Sequence, residues 1–209
     1  MILSVCAQKG GAGKTSIAVA LAGEAQRQGK STLLIDLDPQ GSAVSWFQAG
    51  SGEAWPHVLQ CSSDRLRDVV VKGYGVHDVC VIDCPPQQHL LTREALFLSH
   101  LAVIPIQAGA LDLWTIQQHT IPLLQEVWKV RPDLRALFVV SRVQPRTRAG
   151  KEIRASLAGL SDPRCSVAKA QITHRIAWAE MPTHGILPHQ SRDKLTHADV
   201  KRLYKEILG

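Results

Sequence analysis

Gln8-Lys9-Gly10-Gly11-Ala12-Gly13-Lys14-Thr15 follows a short apolar run, Ile2-Leu3-Ser4-Val5-Cys6-Ala7, and precedes a helix-like run from Ser16 to Gln28. Strand, glycine loop and helix is the layout of a phosphate-binding loop. The glycines let the chain curl so that backbone N–H groups converge on an anion. The helix that follows adds the positive end of its dipole. Lys14 supplies a point charge for the outer phosphates, and the Thr15 hydroxyl is placed to ligand Mg²⁺. These residues predict a site for a nucleoside triphosphate, with Gly10, Gly11, Ala12, Gly13, Lys14, Thr15 and Ser16 around the phosphates.

The loop departs from the general pattern at two places. The position six residues before the lysine, ordinarily glycine, is Gln8, and a second lysine, Lys9, stands five residues before Lys14. That lysine has no evident task inside its own loop.

The surrounding sequence bounds the fold. The chain has 209 residues, 45% of them apolar and 20% charged, which fits one domain with a substantial core, residues 1–209. No apolar run is long enough to span a bilayer, no signal peptide is expected, and a cytoplasmic protein follows. Five cysteines without a Cys-x-x-Cys pair read as reduced thiols, and Cys6, Cys80 and Cys84 as small apolar core residues. Nine scattered histidines show no metal-ligand spacing.

Strand-like runs at Ile2–Ala7, Thr32–Asp36, Val79–Asp83, Leu101–Ile106 and Ala136–Ser141, with a weaker one near Val167–Ile172, alternate with helical runs. The helical runs are Thr15–Gln28, Arg93–Ser99, Thr115–Val130, Ala149–Gly159 and Lys194–Leu208. This alternation predicts an α/β fold: a mainly parallel sheet with helices on both faces. Ligands in such folds sit at the carboxyl ends of the strands, where Asp36 and Asp83 fall.

Two acidic motifs complete the chemistry. In Asp36-Leu37-Asp38-Pro39-Gln40-Gly41 two carboxylates alternate along an extended segment and point the same way. Val79-Cys80-Val81-Ile82-Asp83-Cys84-Pro85-Pro86 is an apolar strand ending in one acid, the Walker B arrangement, which aims Asp83 at Mg²⁺. The two prolines make the next segment a switch beside the γ-phosphate.

Together these motifs resemble the ParA/MinD family of deviant Walker A ATPases, and small ParA-type partition ATPases in particular. The resemblance implies ATP and Mg²⁺ as cofactors, with metal held by Thr15, Asp36 and Asp83. It implies that Asp38 is required for hydrolysis, acting with Lys9 and Lys14, and that Lys9 reaches across a homodimer to the partner's nucleotide. Ile104-Pro105-Ile106-Gln107, Ile172-Thr173-His174-Arg175-Ile176-Ala177 and Glu180-Met181-Pro182-Thr183-His184-Gly185 resemble later family segments, placing Arg142 and Pro182 near the nucleotide. Ser141-Arg142-Val143-Gln144 lacks the asparagine many relatives use near the base. No extension precedes the first strand, so a helix-turn-helix repressor is not expected.

Charge is uneven. Residues 1–100 carry eight basic and nine acidic residues, residues 101–209 sixteen and nine. A basic second half suits non-specific double-stranded DNA, or is a solvated face. The candidate contacts are Arg146, Arg148, Lys151, Arg154, Arg175, Lys194, Lys201, Arg202 and Lys205. The apolar stripe Val200, Leu203, Tyr204, Ile207 and Leu208 reads as core packing rather than a membrane-surface helix. Trp114 and Trp128 read as packing residues; Trp46 and Trp55 as a partner surface or a cover for the sheet edge.

The expected function is a nucleoid-associated partition ATPase that dimerises with ATP and is stimulated by a ParB-like centromere-binding or adaptor protein. The alternatives are a relative that positions another cargo (a protein compartment, a chemosensory cluster or a secretion apparatus), a membrane-cycling regulator resembling MinD, and a metabolic P-loop enzyme.

Overall fold

The computed structural model describes residues 1–50, 55–87, 89–107, 109–144, 148–159 and 162–209. Its centre is a sheet of eight strands: β1 (Ile2–Val5), β2 (Thr32–Asp36), β3 (His57–Gln60), β4 (Val79–Asp83), β5 (Leu101–Gln107), β6 (Arg135–Val143), β7 (Cys165–Val167) and β8 (Ile172–Thr173). The order is β3-β2-β4-β1-β5-β6-β7, with β8 also on β6, and every pairing is parallel. The expected α/β class and helix-covered parallel sheet are what the structure has.

Alternation within each strand explains the two layers. Ile2, Cys6, Leu33, Ile35, Cys80, Ile82, Ile104 and Phe138 face one core. Leu3, Val5, Leu34, Val81, Val103 and Val139 face the other. The first core is closed by α3 (Ser63–Tyr74), α4 (His89–Leu98), α6 (Ile121–Trp128) and α7 (Arg148–Ala158). The second is closed by α1 (Lys14–Arg27), α2 (Ser42–Ala49), α8 (Ala177–His184) and α9 (Lys194–Leu208). With both faces covered, each fully buried Leu, Ile or Val contributes on the order of 1.5–3 kcal/mol. This is why the central strands read as unbroken apolar runs rather than alternating ones.

Several boundaries differ from the sequence reading. The run expected near Val167–Ile172 is two short strands, β7 and β8, with residues 168–171 between them. The helix expected over Thr115–Val130 is α5 (Ala110–Thr115), a π-turn (Ile116–Thr120) and α6. Pro122 lies at the start of α6; it has no N–H and its ring crowds the carbonyl four residues back, so a regular α-helix cannot pass through it. Trp128 is buried, but Trp114 on α5 is 57% exposed, against the packing expectation. Trp46 and Trp55 are buried, and their indoles donate to the Ile186 and Gly185 carbonyls; they cover the sheet. Val200, Leu203 and Tyr204 are buried, so the last helix packs on the core.

Candidate active site

The strand order brings the carboxyl ends of β1, β2 and β4 side by side. Register places Asp36 opposite Asp83, and Val5 opposite Asp83 on the other flank. The glycine loop leaves β1 beside Asp83, with Asp36 one strand further out. Gly11 and Gly13 have φ of +73° and +92°, conformations that side chains strain to adopt, and Gly13 leads directly into α1. Two braces fix the loop from the β5–β6 side: Gln107 Nε2 donates to the Gly11 carbonyl at 2.8 Å, and Ser141 Oγ to the Ala12 carbonyl at 2.9 Å. The sequence reading missed both braces, because a polar residue at a strand end carries no signal of which loop it will meet.

Lys14 is buried, and its ammonium reaches the Lys9 carbonyl at 3.3 Å. Burial lowers its pKa, opposed by the charges of Asp83 and Asp38. Asp83 is 1% exposed, and among the described residues neither of its oxygens has a partner at hydrogen-bond distance. Burial pushes its carboxyl up to about 8; the Thr15 hydroxyl and Lys14 pull the other way, and Asp36 and Asp38 add repulsion. A buried carboxylate without donors is costly unless something pairs with it. Thr15, at the first turn of α1, brings a hydroxyl to the same point. Two hard oxygen donors beside a phosphate loop fit Mg²⁺, which keeps most of its waters and needs few protein ligands.

Asp36 has both its oxygens bonded within the chain. It is fully buried; Oδ1 accepts from the Asp38 N–H at 3.1 Å, and Oδ2 from the Ala43 and Val44 N–H groups at 2.8 and 3.2 Å. It caps α2 from a distance, and those N–H groups offset the upward push of burial on its carboxyl. Asp38 is half-buried, and its Oδ1 accepts from the Gln40 N–H at 3.0 Å.

Lys9 turns its side chain toward α5. Its ammonium pairs with Asp112 on α5 at 3.1 Å. Arg142 has φ of +51° and carries its guanidinium over the loop, 3.9 Å from where a Gly11 side chain would begin. A cavity of about 140 Å³ lies beside the start of α1, lined by Gly13, Ser16, Arg142, His174, Arg175 and Trp178 among others. Pro182 does not line it; α8 contributes Trp178 and Ala179 there, one turn earlier. Trp178 carries no signal in the sequence; among the described residues its buried indole N–H has no partner.

Residues 3–208 match the CobQ/CobB/MinD/ParA nucleotide binding domain.

The chain belongs to this family.

The CobQ/CobB/MinD/ParA chain is 27% identical over 211 residues to the maintenance of carboxysome distribution protein A of Halothiobacillus neapolitanus, covering 99% of this chain and 95% of that protein. It is 28% identical over 241 residues to the chromosome-partitioning ATPase Soj of Thermus thermophilus, at the same coverage. In structure it is similar to apo McdA from Cyanothece, with a TM-score of 0.80 at 16% identity over 100% of this chain and 99% of that one. It is also similar to cobyrinic acid a,c-diamide synthase from Mycobacterium smegmatis, with a TM-score of 0.79 at 21% identity over 100% and 94%. Both structural likenesses speak to the fold.

The DNA candidates divide. Arg146 lies outside the described residues, as do the side chains of Arg148 and Lys151 on α7. Arg154 turns inward onto the carbonyls of Ala168, Lys169 and Ala170. Lys194 bonds the Ser191 carbonyl. Arg175 sits between Asp193 and Asp199, and Arg202 pairs with Asp199. Arg175, Arg202 and Lys205 gather with Lys169, absent from the sequence list, around one groove that also holds Asp199 and Glu206. Lys201 is exposed on α9. Among the described residues no helix is long and apolar enough to cross a membrane, and no cluster of three or more His, Cys, Asp or Glu forms a metal site.

Proposed function

We propose that the chain is an Mg²⁺-dependent ATPase, acting as one domain over residues 1–209, whose ATP state is a homodimer. The observation that carries this reading is the grouping of Lys14, Thr15, Asp38 and the buried Asp83 at the strand ends, with a second lysine at the mouth. The loop N–H groups and Lys14 hold the outer phosphates. Thr15 and Asp83 hold Mg²⁺, which when bound neutralises charge on the phosphate oxygens. Asp36 stands behind them as a buried charge. Asp38 orients a water in line with the γ-phosphorus; the new P–O bond forms as the bridging bond to ADP breaks, and phosphate leaves. Arg142 lies over the loop at Gly11 and contributes positive charge there.

Lys9 supplies the gate. Two nucleotide-loaded faces repel one another; a lysine from each chain placed on the other's phosphates converts repulsion into attraction. ATP then favours the dimer, and the dimer tightens ATP by the same factor.

A dimer also doubles the groove formed by Lys169, Arg175, Arg202 and Lys205. Each cation that neutralises a DNA phosphate releases counterions, and two joined patches gain by effective concentration. In this reading ATP switches on non-specific DNA binding, and a ParB-like or adaptor protein stimulates turnover on the nucleoid. The test is binding to non-specific duplex DNA with no nucleotide, with ADP and with ATP–Mg²⁺ at two salt concentrations. Salt-sensitive binding confined to ATP is the expected result; its absence in every state overturns the DNA reading.

The cargo has two readings. Partition of a plasmid or chromosome draws support from the similarity to Soj of Thermus thermophilus. Positioning of a protein compartment draws support from the similarity to the carboxysome distribution protein of Halothiobacillus neapolitanus, over nearly the full length of both chains. Genes neighbouring this one distinguish them: a centromere-binding protein for the first, shell or adaptor proteins for the second.

A further inference from the structure

The turn from β2 into α2 carries Asp38, and it must hold that carboxylate still. Its near side is fixed by Asp36, whose oxygens accept from the N–H of Asp38 and from the first turn of α2. Its far side faces Gln60, the last residue of β3. Gln60 Nε2 donates to the Asp38 and Pro39 carbonyls, both at 3.3 Å. The same amide packs on Gly41: a side chain there would begin 3.3 Å from Nε2. Gly41 has φ of +61°, so the turn closes tightly under the amide. The register explains the reach, since Gln60 stands directly opposite Asp36 in the sheet.

We propose that Gln60 is a positioning residue for hydrolysis, fixing the Asp38–Gly41 turn by donating one amide hydrogen bond to each of two successive carbonyls. The inference rests on the reading of Asp38 above. Gln60 acts through the backbone of Asp38 and Pro39, whose carbonyls it bonds. What it requires is a donor, because carbonyl oxygens only accept. The Gly41 N–H closes the turn from within, donating to the Asp38 carbonyl at 2.9 Å; among the described residues Gln60 is the one side-chain donor to the turn's outer side, so loss of the amide leaves that side unheld. Displacement of a reacting group by about 1 Å costs up to about a hundredfold in rate.

Single-turnover hydrolysis of ATP–Mg²⁺ by the full chain tests this, with ATP affinity and ATP-dependent dimerisation measured on the same samples. Gln60→Leu keeps much of the volume and removes the donor; Gln60→Glu turns an acceptor toward the carbonyls; Gln60→Lys restores a donor. The expected result is a chemical step slowed about tenfold in Gln60→Leu and at least as much in Gln60→Glu, with Gln60→Lys near the wild-type rate. ATP affinity and dimerisation should stay within about twofold throughout, a split that general destabilisation would not give. A wild-type rate in Gln60→Leu, or parallel loss of affinity and rate in all three variants, overturns the inference. Asp38→Ala is run alongside. Normal hydrolysis by that variant overturns the role of Asp38, and the inference with it. An inactive Asp38→Ala with a fully active Gln60→Leu overturns the inference alone.

Discussion

Lys9 and Asp112 form an ion pair within one chain, 3.1 Å apart, with the Asp112 side chain 9% exposed and the lysine 44% exposed. The lysine proposed to reach a second copy is therefore held at home in the single chain, by a residue on the helix that follows β5. Closing the dimer requires that this pair open. A half-exposed pair is worth at most about 1 kcal/mol, so the latch is weak and two of them are released per dimer. Asp112→Asn should lower the protein concentration at which ATP drives dimerisation, by about tenfold. Analytical ultracentrifugation over a concentration series reads this directly, and an unchanged or weaker dimer would remove the latch.

The metal site gives a second expectation. Lys14→Ala should abolish ATP binding. Asp83→Asn should leave the free protein at least as stable, because it removes a buried carboxylate that has no donor. The same variant should lose most of the added ATP affinity that Mg²⁺ brings. Thermal unfolding with and without ATP–Mg²⁺ separates the two effects: a large stabilisation by Mg²⁺ surviving in Asp83→Asn would show that the metal is held elsewhere.

Acid stability depends on the seam between α1 and α9. Burial pushes the Glu24 carboxyl up, but hydrogen bonds from Arg27, Gln28 and His197 outweigh it and hold the group down to about 2. Its unfolded value is near 4.5. A depressed carboxylate stabilises the fold above the unfolded value, and that contribution drains away as pH falls from about 4.5 to 2. The contribution is on the order of 3 kcal/mol. Glu24→Gln should lower stability at pH 7 and flatten the pH dependence between those limits. Chemical denaturation at pH 7, 4 and 3 checks it.

For DNA, the groove residues should behave unlike Arg154. Arg202→Ala and Lys205→Ala should weaken ATP-dependent DNA binding and each reduce the salt slope by about 0.9. Arg154→Ala should lower the melting temperature instead, because its guanidinium holds the carbonyls of Ala168, Lys169 and Ala170. Equal loss of DNA binding in all three, without destabilisation of the last, would contradict the division.

The five central strands, the phosphate loop and both acidic motifs are legible because they are local. An apolar run buried on both faces and a glycine loop need no knowledge of the rest of the chain. What escaped the sequence is either weakly patterned or distant. β3 is an edge strand of four residues, none of them fully buried, and α3 buries only Leu66 and Val70, so neither shows an apolar signature. Gln107, Ser141 and Asp112 are polar residues whose partners lie far away along the chain. Asp36 was recognised as part of the site, but its bonds to the start of α2 follow from a helix that the sequence reading did not place.

The central claim is that nucleotide gates a dimer through Lys9. It is tested most directly by sedimentation of Asp38→Ala and of Lys9→Ala/Asp38→Ala with ATP–Mg²⁺, hydrolysis being blocked in both, with bound nucleotide quantified in each. A nucleotide-loaded dimer is expected for the first and a nucleotide-loaded monomer for the second. A stable ATP-dependent dimer in the chain lacking Lys9 would contradict it.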